Sequence, residues 1–196
     1  MNLLAHIQVA RTRSDLPAFW LGAALPDLQR EATVSVGDVA SWPEAVQAGI
    51  ECHRAADAVF HDLAVFRTQS GALTRALLAA EVPRGAARAI GHAGWELLFD
   101  GALLDDADLV DAYFGAMRVE VDHPDWAAAL ARRAARGAPT FYADPASVAE
   151  LLWRVLGRRR LLAFDCAHCD AVAACLAAAQ PLITSSVDDV FAAVSA

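Results

Sequence analysis

Apolar residues recur every three or four positions along most of this chain, and no stretch alternates apolar with polar residues for long. Such spacing places side chains on one face of an α-helix, whereas a half-buried strand needs a period of two. Proline follows a capping side chain in Ser41-Trp42-Pro43-Glu44, Asp122-His123-Pro124-Asp125 and Asp144-Pro145, as is typical of helix starts. The sequence therefore predicts an all-α helical bundle of about eight or nine helices.

Short breaks and one longer loop separate the predicted helices. Residues 30–40 lack a strong period and predict a loop, while residues 137–139 and the pair Gln180-Pro181 predict helix ends. Residues 21–27, bounded by glycine and proline, predict a tight turn that presents the carboxylate of Asp27. The helices are predicted over residues 2–12, 43–66, 71–80, 83–104, 107–117, 124–136, 145–163, 166–179 and 187–194.

The chain length predicts a single domain. Its 196 residues are enough for one sizeable core, and no repeat, linker or low-complexity segment marks a boundary. We therefore expect one helical domain over residues 1–196. Residues 1–104 of that domain carry the candidate metal site described below, and residues 105–196 add further helices.

Charge and hydropathy limit the classes of partner. The 16 arginines and 24 acidic residues give a net charge of -8, which disfavours nucleic acid and anionic membrane surfaces. The mean hydropathy of +0.33 rests largely on alanine, and no run approaches the ~20 large apolar residues of a spanning helix. The first residues do not resemble a secretion signal. We expect a cytoplasmic protein with no membrane partner.

The four cysteines do not indicate a disulfide framework, because no secretion signal accompanies them. Cys166 and Cys169 have the spacing Cys-x-x-Cys, but a zinc site would need a second pair of ligands nearby. Since both lie in an alanine-rich helical segment, we expect free thiols that have no role in activity.

Histidines and acids recur at helical spacing in two predicted helices. His53, Asp57 and His61 are four residues apart in turn, and His92 and Glu96 repeat that spacing. Imidazole and carboxylate groups from adjacent turns can hold a divalent transition metal, and burying several titratable groups with no ion between them is costly. The two pairs favour a metal site, and a buried ladder of His and Asp without metal is the alternative.

Two further residues extend this set. His6 lies early in an apolar predicted helix, and Asp27 closes the predicted turn of residues 21–27. Taken alone, His6 fits a core histidine equally well, and Asp27 fits a helix cap. Together with the two pairs, they complete a candidate ligand set.

Three blocks of this sequence resemble a known family. They are Met1-Asn2-Leu3-Leu4-Ala5-His6, the segment from Leu21-Gly22 to Asp27, and Gly49-Ile50-Glu51-Cys52-His53-Arg54-Ala55-Ala56-Asp57. They resemble Met-Asn-Phe-Leu-Ala-His, Gly-Asn-…-Asp and Gly-Ile-x-x-His-Arg-x-Ile-Asp of the acyl carrier protein phosphodiesterases, and the spacing between blocks agrees. That family consists of metal-dependent hydrolases with an all-α fold distantly akin to HD-domain phosphohydrolases. The resemblance covers the first half of the chain.

The chain departs from the family pattern at four positions where the family has an acid or a histidine. His61 stands where the family has Asp, and His92, Glu96 and Leu97 stand where it has Asp, Asp and His. His61, His92 and Glu96 can each still ligate a metal. Leu97 cannot, so a general acid or a partner of a ligand is absent at that position.

The resemblance implies an HD-domain-like fold and hydrolysis of a phosphodiester by metal-activated water. The metal is expected to be a divalent transition ion such as Mn, Fe or Zn. Asp57 and Asp27 are the candidate catalytic acids, and Arg54 is a candidate clamp on phosphate oxygens. The candidate metal ligands are His6, Asp27, His53, Asp57, His61, His92 and Glu96.

The expected substrate is a small phosphorylated metabolite or a carrier-linked phosphopantetheine. The carrier proteins of that family are acidic, so a partner with a charge of -8 would repel them unless arginines such as Arg84 and Arg88 faced them. Two other functions use the same residues. One is a di-iron, oxygen-activating enzyme built in a helical bundle, and the other is a non-catalytic helical protein that retains a relic metal site.

Overall fold

A computed structural model describes residues 1–32, 34–38 and 42–195 of the chain. Within these residues it contains ten α-helices, three short 3-10 helices and no strand, which confirms the all-α fold class. Ser41, predicted to cap a helix, and part of the predicted loop over 30–40 lie outside the described residues. The helices are α1 (Leu3–Arg11), α2 (Pro17–Leu28), α3 (Glu44–Phe60), α4 (Ala64–Ala79), α5 (Arg84–Gly101), α6 (Ala107–Met117), α7 (Pro124–Arg136), α8 (Pro145–Leu156), α9 (Cys169–Ser185) and α10 (Val187–Val194).

Helices α6, α7 and α10 have the bounds that their sequence pattern predicts. Asp144 caps α8 as predicted, because its carboxylate accepts hydrogen bonds from the backbone N–H groups of Ala146 and Ser147. The N-cap residue of α7 is His123 rather than Asp122, and the His123 side chain makes no capping hydrogen bond. The local sequence pattern therefore predicts the bounds of α6, α7 and α10. In α7 it does so although no side chain caps the helix.

The predicted helix over residues 43–66 is wrong, because it is two helices. α3 ends at Phe60, and the extended backbone of Leu63 (φ -60°, ψ 131°) begins α4. The turn lets α4 pack on α5 and α9, which buries Phe66 and Leu77. This tertiary packing overrides the helical propensity of the intervening residues. His61 consequently lies in a turn and not on the helix that carries His53.

The predicted tight turn over residues 21–27 is also wrong, because this segment belongs to helix α2. Pro17 occupies the first turn of α2, where its missing N–H costs nothing, whereas Pro26 lies inside the helix near its end. The burial of Leu21, Leu25 and Leu28 offsets the single hydrogen bond that Pro26 removes. Asp27 is therefore held rigidly in the last turn of α2.

Two predicted helix ends near the C-terminus are wrong as well. α9 continues through Pro181 to Ser185, with Ile183 buried beyond the proline, so burial outweighs the break predicted at Gln180-Pro181. α8 ends at Leu156, and residues 157–162 form turns and a bend instead of the predicted extension to 163.

One helical stretch in the described part of the chain is long and apolar enough to cross a membrane by length and composition alone. It spans Cys166–Ser185, with a mean hydropathy of 1.4, and 17% of it is buried inside the structure. The sequence-based expectation of no membrane partner stays a prediction.

The chain forms two compact units, and each combines segments that are distant in sequence. The first unit comprises Met1–Phe60, Leu103–Pro139 and Ala193–Ala196, and the second comprises His61–Ala102 and Thr140–Ala192. Helices α1, α2, α3, α6 and α7 belong to the first, and α4, α5, α8 and α9 to the second. The single domain and the HD-domain-like fold stay predictions.

Helix α1 forms the interior of the first unit. It packs against α2, α3 and α6, and seven of its nine residues are buried. A helix buried on every side is apolar all round, and Leu3, Leu4, Ile7 and Val9 meet that requirement. Among the seven buried residues of α1, His6 is the polar one, and its side chain is completely buried.

Helices α2 and α3 touch backbone to backbone at two glycines. A Cβ on Gly22 would lie 2.1 Å from the carbonyl oxygen of Val46, and a Cβ on Gly49 would lie 2.1 Å from that of Phe19. No larger side chain fits at either position without moving a helix. The contact brings the backbone of α2 within reach of the side chains of α3.

We expect Gly49→Ala to destabilise the chain by at least about 1–3 kcal/mol, because the added methyl group must push α2 away. Urea unfolding followed by circular dichroism measures this change. Gly71→Ala is the matched control, since its Cβ would meet only Arg75 Nη1 at 3.5 Å on α4. That control should gain about 0.5–1 kcal/mol from helix propensity. Equal midpoints for the two variants would contradict the backbone contact.

Candidate metal centre

Three helices of the first unit bring four of the predicted ligands together. α1 supplies His6, the last turn of α2 supplies Asp27, and α3 supplies His53 and Asp57. His6 lies between the two carboxylates, with Nδ1 2.8 Å from Asp27 Oδ2 and Nε2 3.0 Å from Asp57 Oδ1. We call these four residues the buried cluster.

A backbone hydrogen bond fixes the tautomer of His53. Its Nδ1 lies 2.8 Å from the carbonyl oxygen of Ala23, and because a carbonyl only accepts, Nδ1 carries the proton. In the neutral ring Nε2 then has a lone pair, and this atom lies 3.5 Å from Asp57 Oδ2. Two electron-rich atoms thus face each other across a gap that suits a cation. Metal-ligating histidines commonly hold their second ring nitrogen in this way.

The charges of the cluster follow from its burial and its pairs. Burial alone would lower the pKa of His6, but the charge of Asp27 and the hydrogen bonds to Asp27 and Asp57 raise it to about 9. The His53 ring stacks on His6 with 3.7 Å between centroids, and burial together with the charge of His6 lowers the pKa of His53. The His6 ring is therefore protonated on both nitrogens and positively charged, whereas the His53 ring is neutral and keeps its proton on Nδ1.

Asp57 is held as a carboxylate. Burial raises its pKa, but two contacts lower it by more than that. These are the hydrogen bond from His6 and the positive charge of the Met1 amino group, 2.9 Å from Oδ1, and together they hold the pKa of Asp57 well below its usual range. Its side chain is 30% exposed, and that of Asp27 is 18% exposed. Solvent therefore reaches the carboxylates, while the two rings lie deeper.

The donor set of the buried cluster fits a divalent transition metal. His6, Asp27 and His53 each offer one ligand atom, and these atoms lie within 4.8 Å of one another. Mixed imidazole and carboxylate ligands suit Zn, Mn and Fe. Asp57, the fourth residue of the cluster, contacts both rings.

Arg54 follows His53 on α3 but makes a surface ion pair. Its Nη1 donates to Glu51 Oε1 at 2.6 Å, and its side chain is 62% exposed. Exposed pairs of this kind contribute little to stability, so the guanidinium is easily released. Its role as a clamp on phosphate stays a prediction.

The three other predicted ligands meet in the second unit. His61 lies in the turn after α3, and His92 and Glu96 lie one turn apart on α5. The Nε2 atoms of His61 and His92 are 3.4 Å and 3.3 Å from Glu96 Oε1. We call these residues the second cluster. The predicted stripe of His53, Asp57 and His61 is therefore divided, since His61 belongs with α5.

Glu96 is the charged centre of the second cluster. Burial raises its pKa, but the hydrogen bonds from His61 and His92 lower it to about 2. The two rings are stacked with 5.1 Å between centroids. The three side chains offer two nitrogens and one oxygen within 4.8 Å of one another, which is a second donor set.

Sequence reasoning missed the Ala23 carbonyl that orients His53. A backbone carbonyl gives no side-chain signal, although Gly22 and Gly49 mark a close helix contact once it is known. The cysteines are free thiols, as expected. Among the described residues, neither group of three metal donors includes a cysteine.

The chain matches no family model, and neither the curated proteins nor the solved structures gave a match. The resemblance to the acyl carrier protein phosphodiesterases stays a prediction.

The raised pKa of His6 predicts a loss of stability in mild alkali. A raised pKa stabilises the folded chain fully below the unfolded value of 6.5, and this contribution disappears as the pH rises through about 9. Without metal, the free energy of unfolding should fall by on the order of 3 kcal/mol over that range. Urea unfolding in EDTA measures it. His6→Gln should remove most of this dependence, and identical pH profiles would contradict the proposed charge.

Proposed function

We propose that the buried cluster is the metal centre of a phosphoric ester hydrolase that acts on phosphodiesters. The observation that carries this proposal is the orientation of His53. Its Nδ1–H is committed to the Ala23 carbonyl, and its Nε2 faces Asp57. The resemblance of the first half of the chain to the acyl carrier protein phosphodiesterases gives the reaction class.

His6, Asp27 and His53 are the residues that would hold a divalent ion. When bound, such an ion would act as a Lewis acid on a phosphoryl oxygen and make a neighbouring water more acidic. Asp27 orients His6 through Nδ1, so His6 presents Nε2 to the centre once it loses its proton. Metal binding should therefore be weaker at low pH, where His6 keeps its proton.

Asp57 is the candidate general base. It is a carboxylate at neutral pH, because His6 lowers its pKa, and its 30% exposed side chain reaches solvent. A carboxylate at this position can accept a proton from an attacking water. Arg54 lies on the exposed surface of α3, where it pairs with Glu51. Once it leaves Glu51, its guanidinium can bind a phosphate oxygen.

The proposed substrate is a small phosphorylated metabolite or a carrier-linked phosphopantetheine. Both contain a phosphodiester or phosphate ester, whose oxygens the exposed guanidinium of Arg54 could bind. The acidic balance of the chain favours the small substrate, since an acidic carrier would be repelled.

We expect Asp57→Asn to lower hydrolysis of bis-p-nitrophenyl phosphate by a factor on the order of 10² or more. The change removes the charge that accepts the proton and keeps the shape of the side chain. The rate per folded molecule, with circular dichroism as the check on folding, measures this effect.

The matched control for this variant is Glu44→Gln, which neutralises an exposed carboxylate on the same helix and should leave the rate nearly unchanged. If Asp57 is only the structural partner of the buried His6, its replacement should cost about 3 to 5 kcal/mol of stability and leave the rate intact. An Asp57→Asn protein that melts early but keeps its metal and its rate would contradict the proposed function.

A further inference from the structure

The second cluster consists of residues from two separate segments of the second unit. α5 carries His92 and Glu96 on one face, and the turn between α3 and α4 carries His61. The second cluster and the buried cluster have no residue in common. An inference about the second cluster therefore does not depend on the proposed function.

The two contacts to Glu96 are long for hydrogen bonds, and their lengths fit the separation between two ligands of one metal ion. Both Nε2 atoms approach the same oxygen, Glu96 Oε1, at 3.3 Å and 3.4 Å. A hydrogen bond from a ring N–H to a carboxylate is usually shorter, at about 2.7–2.9 Å. Ligand atoms about 2.0–2.1 Å from a tetrahedral zinc ion lie about 3.3–3.4 Å from each other. The two nitrogen-to-oxygen distances therefore match the edge of a tetrahedron, and the ligand atoms of all three residues lie within 4.8 Å of one another.

Aromatic packing holds the two rings in this arrangement. Phe66, which is buried, contacts His92 edge-on at 5.2 Å between centroids and His61 at 5.6 Å. Trp95 contacts Phe66 at 5.2 Å, and its Nε1 donates to Gln69 Oε1 at 3.0 Å. The ring positions are thus set by the core of the unit, which reduces the entropy lost when an ion is bound.

Exposure leaves room for an ion to enter. The side chains of His61 and His92 are 40% and 51% exposed, whereas that of Glu96 is 13% exposed. Three protein ligands leave one tetrahedral position for solvent or another ligand. Two nitrogens and one oxygen favour borderline ions such as Zn²⁺ or Co²⁺ over Mg²⁺ and Ca²⁺, which prefer oxygen.

We propose that His61, His92 and Glu96 form a second binding site, of Zn²⁺ type, which ties the turn after α3 to α5. The ion joins a turn residue to a helix and stabilises the second unit. Binding at this site is independent of binding at the buried cluster.

The test uses the full chain, stripped with EDTA and then titrated with Co²⁺. Co²⁺ is the probe because its visible absorption is intense when four-coordinate, and calorimetry with Zn²⁺ gives the stoichiometry. His92→Gln and His61→Gln change half-exposed side chains and should fold, as circular dichroism would verify. Each should weaken binding of one Co²⁺ equivalent at least tenfold and abolish its absorption.

Two further variants separate this site from the buried cluster. His53→Gln should leave the absorption due to the second cluster unchanged, and His123→Gln, outside both clusters, should change neither site. One equivalent that only His61→Gln and His92→Gln abolish would support the second site and contradict a metal at the buried cluster.

Two outcomes would overturn the second site. One is that His92→Gln binds Co²⁺ with the stoichiometry and affinity of the wild-type chain. The other is that His92→Gln loses binding while His61→Gln keeps it. This would reduce the site to a surface pair of His and Glu on a single helix.

Discussion

The first unit is organised around a charged imidazole in its interior. His6 has no exposed side-chain surface, so it can carry a proton only because Asp27 and Asp57 accept from both of its nitrogens. Each of these carboxylates comes from a different helix, so the pairing specifies how α1, α2 and α3 are placed. Removing one carboxylate would leave a buried charge without its partner. The same pairing supplies the negative groups that a metal ion requires.

This arrangement depends on how closely α2 and α3 approach. The glycine contact at Gly22 and Gly49 brings the helix backbones together, and the Ala23 carbonyl then reaches His53. The hydrogen bond selects the ring nitrogen that faces Asp57. The contact between two glycines, which have no side chain beyond hydrogen, thus decides which ring nitrogen of His53 carries the proton.

The two clusters differ in how they satisfy their charges. In the buried cluster, His6 is within hydrogen-bond distance of both carboxylates, and its proton supplies the positive charge. In the second cluster, two half-exposed rings stand farther from one carboxylate. In the buried cluster a metal ion must displace the proton of His6, so proton binding and metal binding compete. The second cluster is closer to the spacing that a tetrahedral ion needs.

The sequence by itself determined the helical class, the bounds of α6, α7 and α10, and the residues of both clusters. Periodicity and capping are local, and a histidine four residues from an acid shares a face with it wherever both lie in one helix, as His53 and Asp57 do. It did not give the turn at residues 61–63, the helix that carries Asp27, or the division of the seven residues into two groups. These features arise from long-range contacts, namely the packing of α4 on α5 and the burial of α2. Only the tertiary structure decided them, because burial energy summed over distant residues outweighs the local preference of proline or of a continuous helix.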